Sequence, residues 1–303
     1  MLHRHVLLAL VILLPAHAVA QHDADVKSLC RARNEAGGET AIVETQLASV
    51  PALMRVPAKV TQPPILLWHG FGPPASERAL MEALPLDEVP AIKIYLGLPQ
   101  FGAREAPGGR ESMARHQSED LGRLVFEPVV VGAAQELPSV IAALQELQCL
   151  RTTDKVGLFG FSAGGAAALL ALADGKVRVG TTVIVNASTG LTASVQAYER
   201  ATKKAYVWSD YSRDLAHRTD AIGRAADIAR NHPALLIVHG TDDAMLPAQN
   251  AIALRDALAP FYRASGDKRL KLDLVDGLSH GWADSAHGDE LRSEIAQWFR
   301  SNQ

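Results

Sequence analysis

Val156-Gly157-Leu158-Phe159-Gly160-Phe161-Ser162-Ala163-Gly164-Gly165 is the stretch that decides how this 303-residue chain is read. Residues 156–161 form a continuous apolar run, the pattern of a strand covered on both faces. Residues 163–173 are rich in alanine and read as a helix. Between strand and helix sits Gly160-Phe161-Ser162-Ala163-Gly164, a G-x-S-x-G turn in the context that gives this pentapeptide meaning. So tight a turn has no room for side chains two positions either side of the serine, hence glycine at 160 and 164. The turn lifts Ser162 above the sheet edge, at a helix N-terminus whose dipole favours developing negative charge. Ser162 is therefore the candidate nucleophile.

Outward from that turn, short apolar runs alternate with helix-length segments. Strands are expected at 65–68, 91–96, 156–161, 181–185, 234–238 and 270–275. Helices are expected at 76–84, 133–147, 163–173, 248–258 and 289–300. Strand, helix, strand, repeated, predicts an α/β fold: a mostly parallel sheet with helices on both faces. Upstream, 25–34 reads as a short polar helix ended by Gly37-Gly38. Residues 40–48 and 53–57 read as an antiparallel hairpin at a sheet edge, with Pro51 between its strands. The interval 189–232 is too long for a structureless loop and carries Tyr198, Tyr206, Trp208 and Tyr211. It predicts a small helical cap within one domain spanning 21–303. A second rim candidate is the Pro/Gly-rich stretch 98–109.

A serine hydroxyl needs a base to take its proton. In the loop after the last expected strand, Gly277-Leu278-Ser279-His280-Gly281-Trp282 offers His280, which position favours over His239 and His287. An orienting acid belongs between nucleophile and base in chain order. The strand 234–238 delivers His239-Gly240-Thr241-Asp242-Asp243 to a loop, so Asp242 and Asp243 both compete, with Asp276 in reserve. Adjacent aspartates cannot both point at one imidazole. Trp68-His69-Gly70-Phe71-Gly72 closes an early strand, and its glycines let backbone approach a substrate oxygen. The N–H groups of Phe71 and Ala163 are the expected oxyanion donors.

Net charge is −3, and no long Lys/Arg run occurs, which argues against a nucleic-acid partner. The N-terminus carries a basic head, His3-Arg4-His5, an apolar run at 6–14, Pro15 and then Ala18-Val19-Ala20. This three-part layout predicts a signal peptide over 1–20, cleaved after Ala20, and export to the periplasm or beyond. The apolar run is too short to span a bilayer, and no other stretch reaches that length by composition, so no stable membrane anchor is expected after cleavage. Cys30 and Cys149 are the only cysteines. Export permits a bridge between them, with about 4 kcal/mol to gain on chain-entropy grounds, but the sequence alone leaves bridge and separate thiols equally open.

Four stretches together carry a resemblance: His69-Gly70-Phe71-Gly72, Gly160-Phe161-Ser162-Ala163-Gly164, the run from His239 to Pro247, and Leu278-Ser279-His280-Gly281-Trp282. Their order and spacing resemble the α/β-hydrolase superfamily over nearly the whole chain after the leader. Within it, the chain looks like the dienelactone-hydrolase and prolyl-oligopeptidase-like serine esterases. The interval to Pro247 favours Asp243 over Asp242 as the acid. The resemblance implies ester hydrolysis through Ser162, His280 and Asp243, on a small-molecule ester, with neither cofactor nor metal. A peptidase or thioesterase uses the same parts, as does a cofactor-free perhydrolase, and a non-catalytic binding protein shares the fold. Dienelactone hydrolases carry a cysteine where Ser162 stands, which puts a lactone substrate in doubt. No propeller-like repeat is seen, so an oligopeptidase gate is not implied. Phe161, Trp282 and Trp208 are expected to line an apolar substrate pocket. Arg104 and Arg110, in or beside the rim stretch, are read as solvated surface rather than as carboxylate binders. Oligomeric state is not readable.

Overall fold

The computed structural model describes residues 16–32, 39–264 and 269–303. Its strands are β1 (Ala41–Leu47), β2 (Val50–Val56), β3 (Ile65–Trp68), β4 (Lys93–Leu96), β5 (Val156–Phe161), β6 (Val179–Val185), β7 (Ala234–Gly240) and β8 (Leu270–Val275). The helices are α1 (Ala16–Ala32), α2 (Glu77–Ala83), α3 (Gly109–Asp120), α4 (Gly132–Glu146), α5 (Ala163–Asp174), α6 (Leu191–Thr202), α7 (Asp210–Thr219), α8 (Ala225–Ala229), α9 (Ala248–Ala264) and α10 (Gly288–Asn302).

All eight strands join one sheet in the order β1-β2-β4-β3-β5-β6-β7-β8. From β4 across to β8 every neighbouring pair is parallel, and β1 and β2 add an antiparallel edge. Side chains alternate between faces, and both faces are covered. Leu66, Ile94, Leu158, Ile184 and Ile237 pack with residues of α4, α5 and α9. Leu67, Tyr95, Phe159, Val183 and Leu236 pack on the other side with residues of α2 and α10. Burial on both faces is why these strands read as unbroken apolar runs. The chain leaves β3 for β4 on one side and returns to β5 on the other. The C-terminal ends of β3 and β5 therefore flank a switch point, where open α/β sheets bind ligands.

Several elements depart from the sequence-based expectation. Pro51 does not separate two strands but lies inside β2, opposite Gln46. Its missing N–H faces the side on which β4 ends at Leu96, and there Gly97 N–H donates to Pro51 O at 3.0 Å. The pair therefore keeps one of its two ladder bonds, and Gly97 O, left without the reciprocal donor, accepts from Arg104 Nη1 at 3.1 Å. Residues 109–131 carry helix that the pattern did not reveal: α3 runs into a π-helical segment, Leu121–Val131, and on into α4. Gly132 N–H reaches back to Glu127 O, and Pro128 lies within the wide turns. A π-turn spaces apolar residues off the 3.6-residue period, so the usual signal fails. The continuous 38-residue run Gly109–Glu146 is also long and apolar enough to cross a membrane, contrary to the expectation that no such stretch exists. Half of its most apolar part is buried inside the protein.

The interval 189–232 holds α6, α7 and α8. Ser209 caps α7 reciprocally with Ser212, one reason a helix starts there. The α6 and α7 helices rest on the π-helical segment, while α8 packs on α5. Tyr206 Oη donates to Asp120 at 2.6 Å and Tyr211 Oη to Glu127 at 2.6 Å, tying the insertion to α3 and the π segment. At the other end of the chain, α9 continues through Pro260 to Ala264, past the expected stop at 258. The apolar run 6–14 and Gly37-Gly38 lie outside the described residues, and α1 begins at Ala16, ahead of the expected helix at 25–34. Cys30 of α1 is bonded to Cys149, which follows α4, with Cα atoms 5.1 Å apart.

Candidate active site

Strand β5 delivers Ser162 with φ +53° and ψ −113°, a strained backbone at the sharp entry to α5. The two flanking glycines are required by contact. A Cβ on Gly160 would stand 2.3 Å from Gly164 O, and one on Gly164 would stand 2.4 Å from His69 O. Such approaches exclude any side chain, so the elbow cannot form without both glycines.

His280, in the loop after β8, places Nε2 3.0 Å from Ser162 Oγ. Its other ring nitrogen, Nδ1, lies 2.7 Å from Asp243 Oδ2. A carboxylate accepts only, so Nδ1 carries the proton and the Nε2 lone pair faces the serine hydroxyl. Asp243 Oδ1 in turn accepts the N–H groups of Met245 at 2.9 Å and Leu246 at 2.8 Å. Behind it, His239 donates from Nε2 to Leu246 O at 2.7 Å, and the same nitrogen is 3.5 Å from Asp243 Oδ2. Burial pushes the Asp243 carboxyl upward. Hydrogen bonds from His239 and His280, the charge interaction with His280 and the Leu246 amide outweigh burial and hold it well below the usual carboxylate range. It stays an anion. Of the other acidic candidates, exposed Asp242 turns its N–H to Leu278 O, and exposed Asp276 accepts from Thr241 Oγ1. Neither contacts the imidazole.

The backbone after β3 is held from below by His69, which is fully buried. Its Nδ1 donates to Gly70 O at 2.8 Å, and its Nε2 accepts from Leu98 N–H at 3.3 Å. Burial pushes this imidazole down to about 4, against a smaller upward pull from Gly70, so it is neutral at physiological pH. No protein acceptor among the described residues takes up the N–H of Phe71 or of Ala163. Phe71 stacks on Phe101 with ring centroids 4.9 Å apart, and Phe101 meets His69 edge-on at 5.9 Å. Phe101 lies within the expected rim stretch, although sequence reading did not single it out; its aromatic ring among prolines and glycines was the available signal.

The three tentative pocket aromatics fall in different places. Phe161 is buried and backs the His280 ring at 5.3 Å, and Trp282 is buried behind Phe161 at 6.4 Å. Both form the floor under the imidazole and present no surface to an open pocket. Trp208 stands edge-on to Tyr206 at 5.0 Å and packs with the core cluster on the opposite face from Phe161. The structure brings Ser162, His280 and Asp243 together; it does not bring Trp208 to them. In the rim, Arg104 is held by Glu136 at 2.5 Å and by Gly97 O, so its charge is already paired. Arg110 is exposed.

The model of the prolyl oligopeptidase family matches residues 133–302, the part that carries β5 to β8 and all three contacting side chains. No curated protein matches the sequence. Among solved structures, TT1662 from Thermus thermophilus is 20% identical with a TM-score of 0.67, covering 86% of this chain and 99% of that one. A puromycin-hydrolyzing peptidase of Mycobacterium tuberculosis is 14% identical with a TM-score of 0.63, over 86% of this chain and 39% of its own. An esterase/lipase from an uncultured bacterium is 17% identical with a TM-score of 0.54, over 97% and 93% respectively. These likenesses are ones of fold, and the fold is that of the α/β-hydrolases.

Proposed function

The chain belongs to the prolyl oligopeptidase family, and from that premise we propose that this serine hydrolase cleaves carboxylic esters through a Ser162 acyl-enzyme. The observation that carries the reading is the unbroken hydrogen-bonded row from Ser162 Oγ through His280 to Asp243. Ser162 Oγ attacks the ester carbonyl carbon while its proton passes to His280 Nε2. The tetrahedral oxyanion is held by the N–H groups of Phe71 and Ala163. Asp243 fixes the imidazole tautomer and stabilises its charged form. The imidazolium then returns its proton to the leaving alcohol, and water repeats the sequence to release the acid.

Support for an ester comes from the aromatic pair Phe71 and Phe101 beside the elbow and from the pairing of Arg104, which leaves that rim cation committed to Glu136. An apolar acyl or alcohol group suits such a wall better than a charged one. A second reading, peptide hydrolysis, is favoured by the family itself and by the fold shared with the puromycin-hydrolyzing peptidase. The two separate in one experiment: a chain-length series of p-nitrophenyl esters assayed beside aminoacyl and dipeptidyl p-nitroanilides, with Ser162→Ala as the blank. The ester reading expects kcat/KM on the best ester to exceed that on the best anilide by more than about 100-fold. A larger value on an anilide would reassign the substrate class.

The imidazole must be present as base, so His280→Ala should lower kcat/KM by about 10³-fold or more, and a variant near wild type would contradict the role of His280. We also propose that the activity lies outside the cytoplasm; the Cys30–Cys149 bridge supports this reading, since such bonds persist in oxidising compartments. N-terminal sequencing of the purified natural protein tests it, with Gln21 expected first.

A further inference from the structure

The chain leaves β6 through Val185-Asn186-Ala187-Ser188, and this exit touches all three stretches that carry the site. Ser162 N–H donates to Val185 O at 3.1 Å, and Ser188 N–H donates to Ser162 O at 3.2 Å. Asn186 N–H donates to Val238 O at 3.0 Å, on the strand that delivers Asp243. The Asn186 side chain does the rest. Its Nδ2 donates to Ser279 O at 3.0 Å and to His280 O at 2.9 Å, while Oδ1 accepts Gly240 N–H at 2.9 Å. One N–H and two carbonyls need one acceptor and two donors, and a carboxamide supplies that set. The residue is fully buried, and its φ of +44° lies in the left-handed region, where asparagine is enriched.

The acid loop and the base loop follow different strands and meet only across the sheet end. Near their bases, backbone bonds join them: Thr241 N–H to Val275 O at 3.0 Å and Asp242 N–H to Leu278 O at 3.1 Å. Closest to the imidazole, at Ser279 and His280, Asn186 makes the connection. Without its Nδ2, two carbonyls lose their donor, and the loop is driven to turn them toward water. That rotation would carry the ring out of line with Ser162.

We propose that Asn186 is a positioning residue for the reaction: its carboxamide holds the His280 loop against the Asp243 loop, keeping the imidazole on both the serine and the carboxylate. The inference rests on the acyl-enzyme reading above. Misplacement of a reacting group by about 1 Å costs on the order of 100-fold in rate. The rate constant for inactivation by a fluorophosphonate reads Ser162 chemistry directly, and the downfield ring-proton resonance of the His280–Asp243 hydrogen bond reads ring placement.

Asn186→Leu, compared with wild type and with Thr182→Val, is the test; Thr182 lies on β6, the strand that leads to Asn186, fully buried, with no partner for Oγ1. The expected result is a fall of about 100-fold in the inactivation rate per folded molecule, loss or broadening of the downfield resonance, and KM for p-nitrophenyl butyrate within about threefold. Thr182→Val should match wild type in all three. If Asn186→Leu does not melt cooperatively, Asn186→Gly, which adopts the positive φ without strain and removes the carboxamide, takes its place under the same expectations. A folded variant that is inactivated as fast as wild type overturns the proposal. So does failure of both substitutions to fold beside a folded Thr182→Val, because Asn186 would then serve the scaffold alone. Wild type that resists the fluorophosphonate sinks the serine-hydrolase chemistry itself, a result distinct from either.

Discussion

Asp243 reaches the imidazole because the turn after β7 folds its side chain inward, where the Met245 and Leu246 amides and His280 Nδ1 surround it. Asp242, one position earlier, stays exposed. Asp243→Asn keeps the shape, but with its oxygen on the Met245 and Leu246 amides its NH2 faces His280 Nδ1 and forces the other tautomer, so kcat/KM should fall by about 10³- to 10⁴-fold. Asp242→Asn should stay within about threefold, and a steady-state comparison of both variants checks the pair. Acid stability belongs to the same scale. Asp243 titrates lower when folded than when unfolded, so its contribution is present above an unfolded value near ~4 and lost as pH falls below it. His69 is pushed down to about 4 from 6.5, so between those values the unfolded chain binds a proton that the folded one refuses. Both effects lower stability in the same direction. Urea midpoints should therefore drop from about pH 6.5 downward, and His69→Gln should flatten the portion above about pH 4.

Among the elements, β4 carries an unusual burden. Lys93 is fully buried, with Nζ donating to Val89 O at 3.1 Å, and burial pushes the ammonium down to about 8. Nearby Asp87 pulls it up and Arg55 down, each by less. Below about pH 8 both folded and unfolded chains hold the proton, and the cost of burying it is constant. Between about 8 and the ordinary 10.5 only the unfolded chain holds it, so stability rises with pH. Lys93→Met should stabilise at neutral pH by up to about 3 kcal/mol and abolish the alkaline rise, which denaturant melts at pH 7 and 10 would show. Unchanged stability at pH 7 would mean that the ammonium is better solvated than its burial implies. The helices show how legibility varies. Residues 163–173 and 289–300 were readable because their apolar residues follow the helical period or their composition is strongly helical. The segment Leu121–Val131 was not, because π-turns and Pro128 break the period on which such reading depends.

At the scale of the molecule, the Cys30–Cys149 bridge ties the N-terminal helix to the chain 119 residues later. Closing so long a loop constrains the unfolded chain, and reduction should cost about 4 kcal/mol. For a domain of this size that is roughly a 10 °C fall in Tm, measured with and without dithiothreitol. Activity at 25 °C should persist, since the bridge lies at Cys149 and Cys30 and not among the residues around Ser162. The switch point between β3 and β5 explains why these residues gather where they do: the β3 exit carries Phe71, the β5 exit Ser162, and the exits of β7 and β8 Asp243 and His280.

The alternation of strands and helices from residue 133 onward, the nucleophile elbow and the identities of Ser162 and His280 as candidates were legible in the sequence. Each rests on local rules: two-sided burial makes apolar runs, and a tight turn demands glycine at fixed offsets. Which aspartate meets the imidazole, whether the two cysteines join, and the placing of Phe161 and Trp282 under the ring rather than in a pocket were decided only by tertiary structure. So was the part of Asn186, an ordinary residue at a strand end until three loops close around it. These are contacts between segments far apart in the chain, and no local pattern encodes them, because they come into being only when the sheet brings its strand ends together.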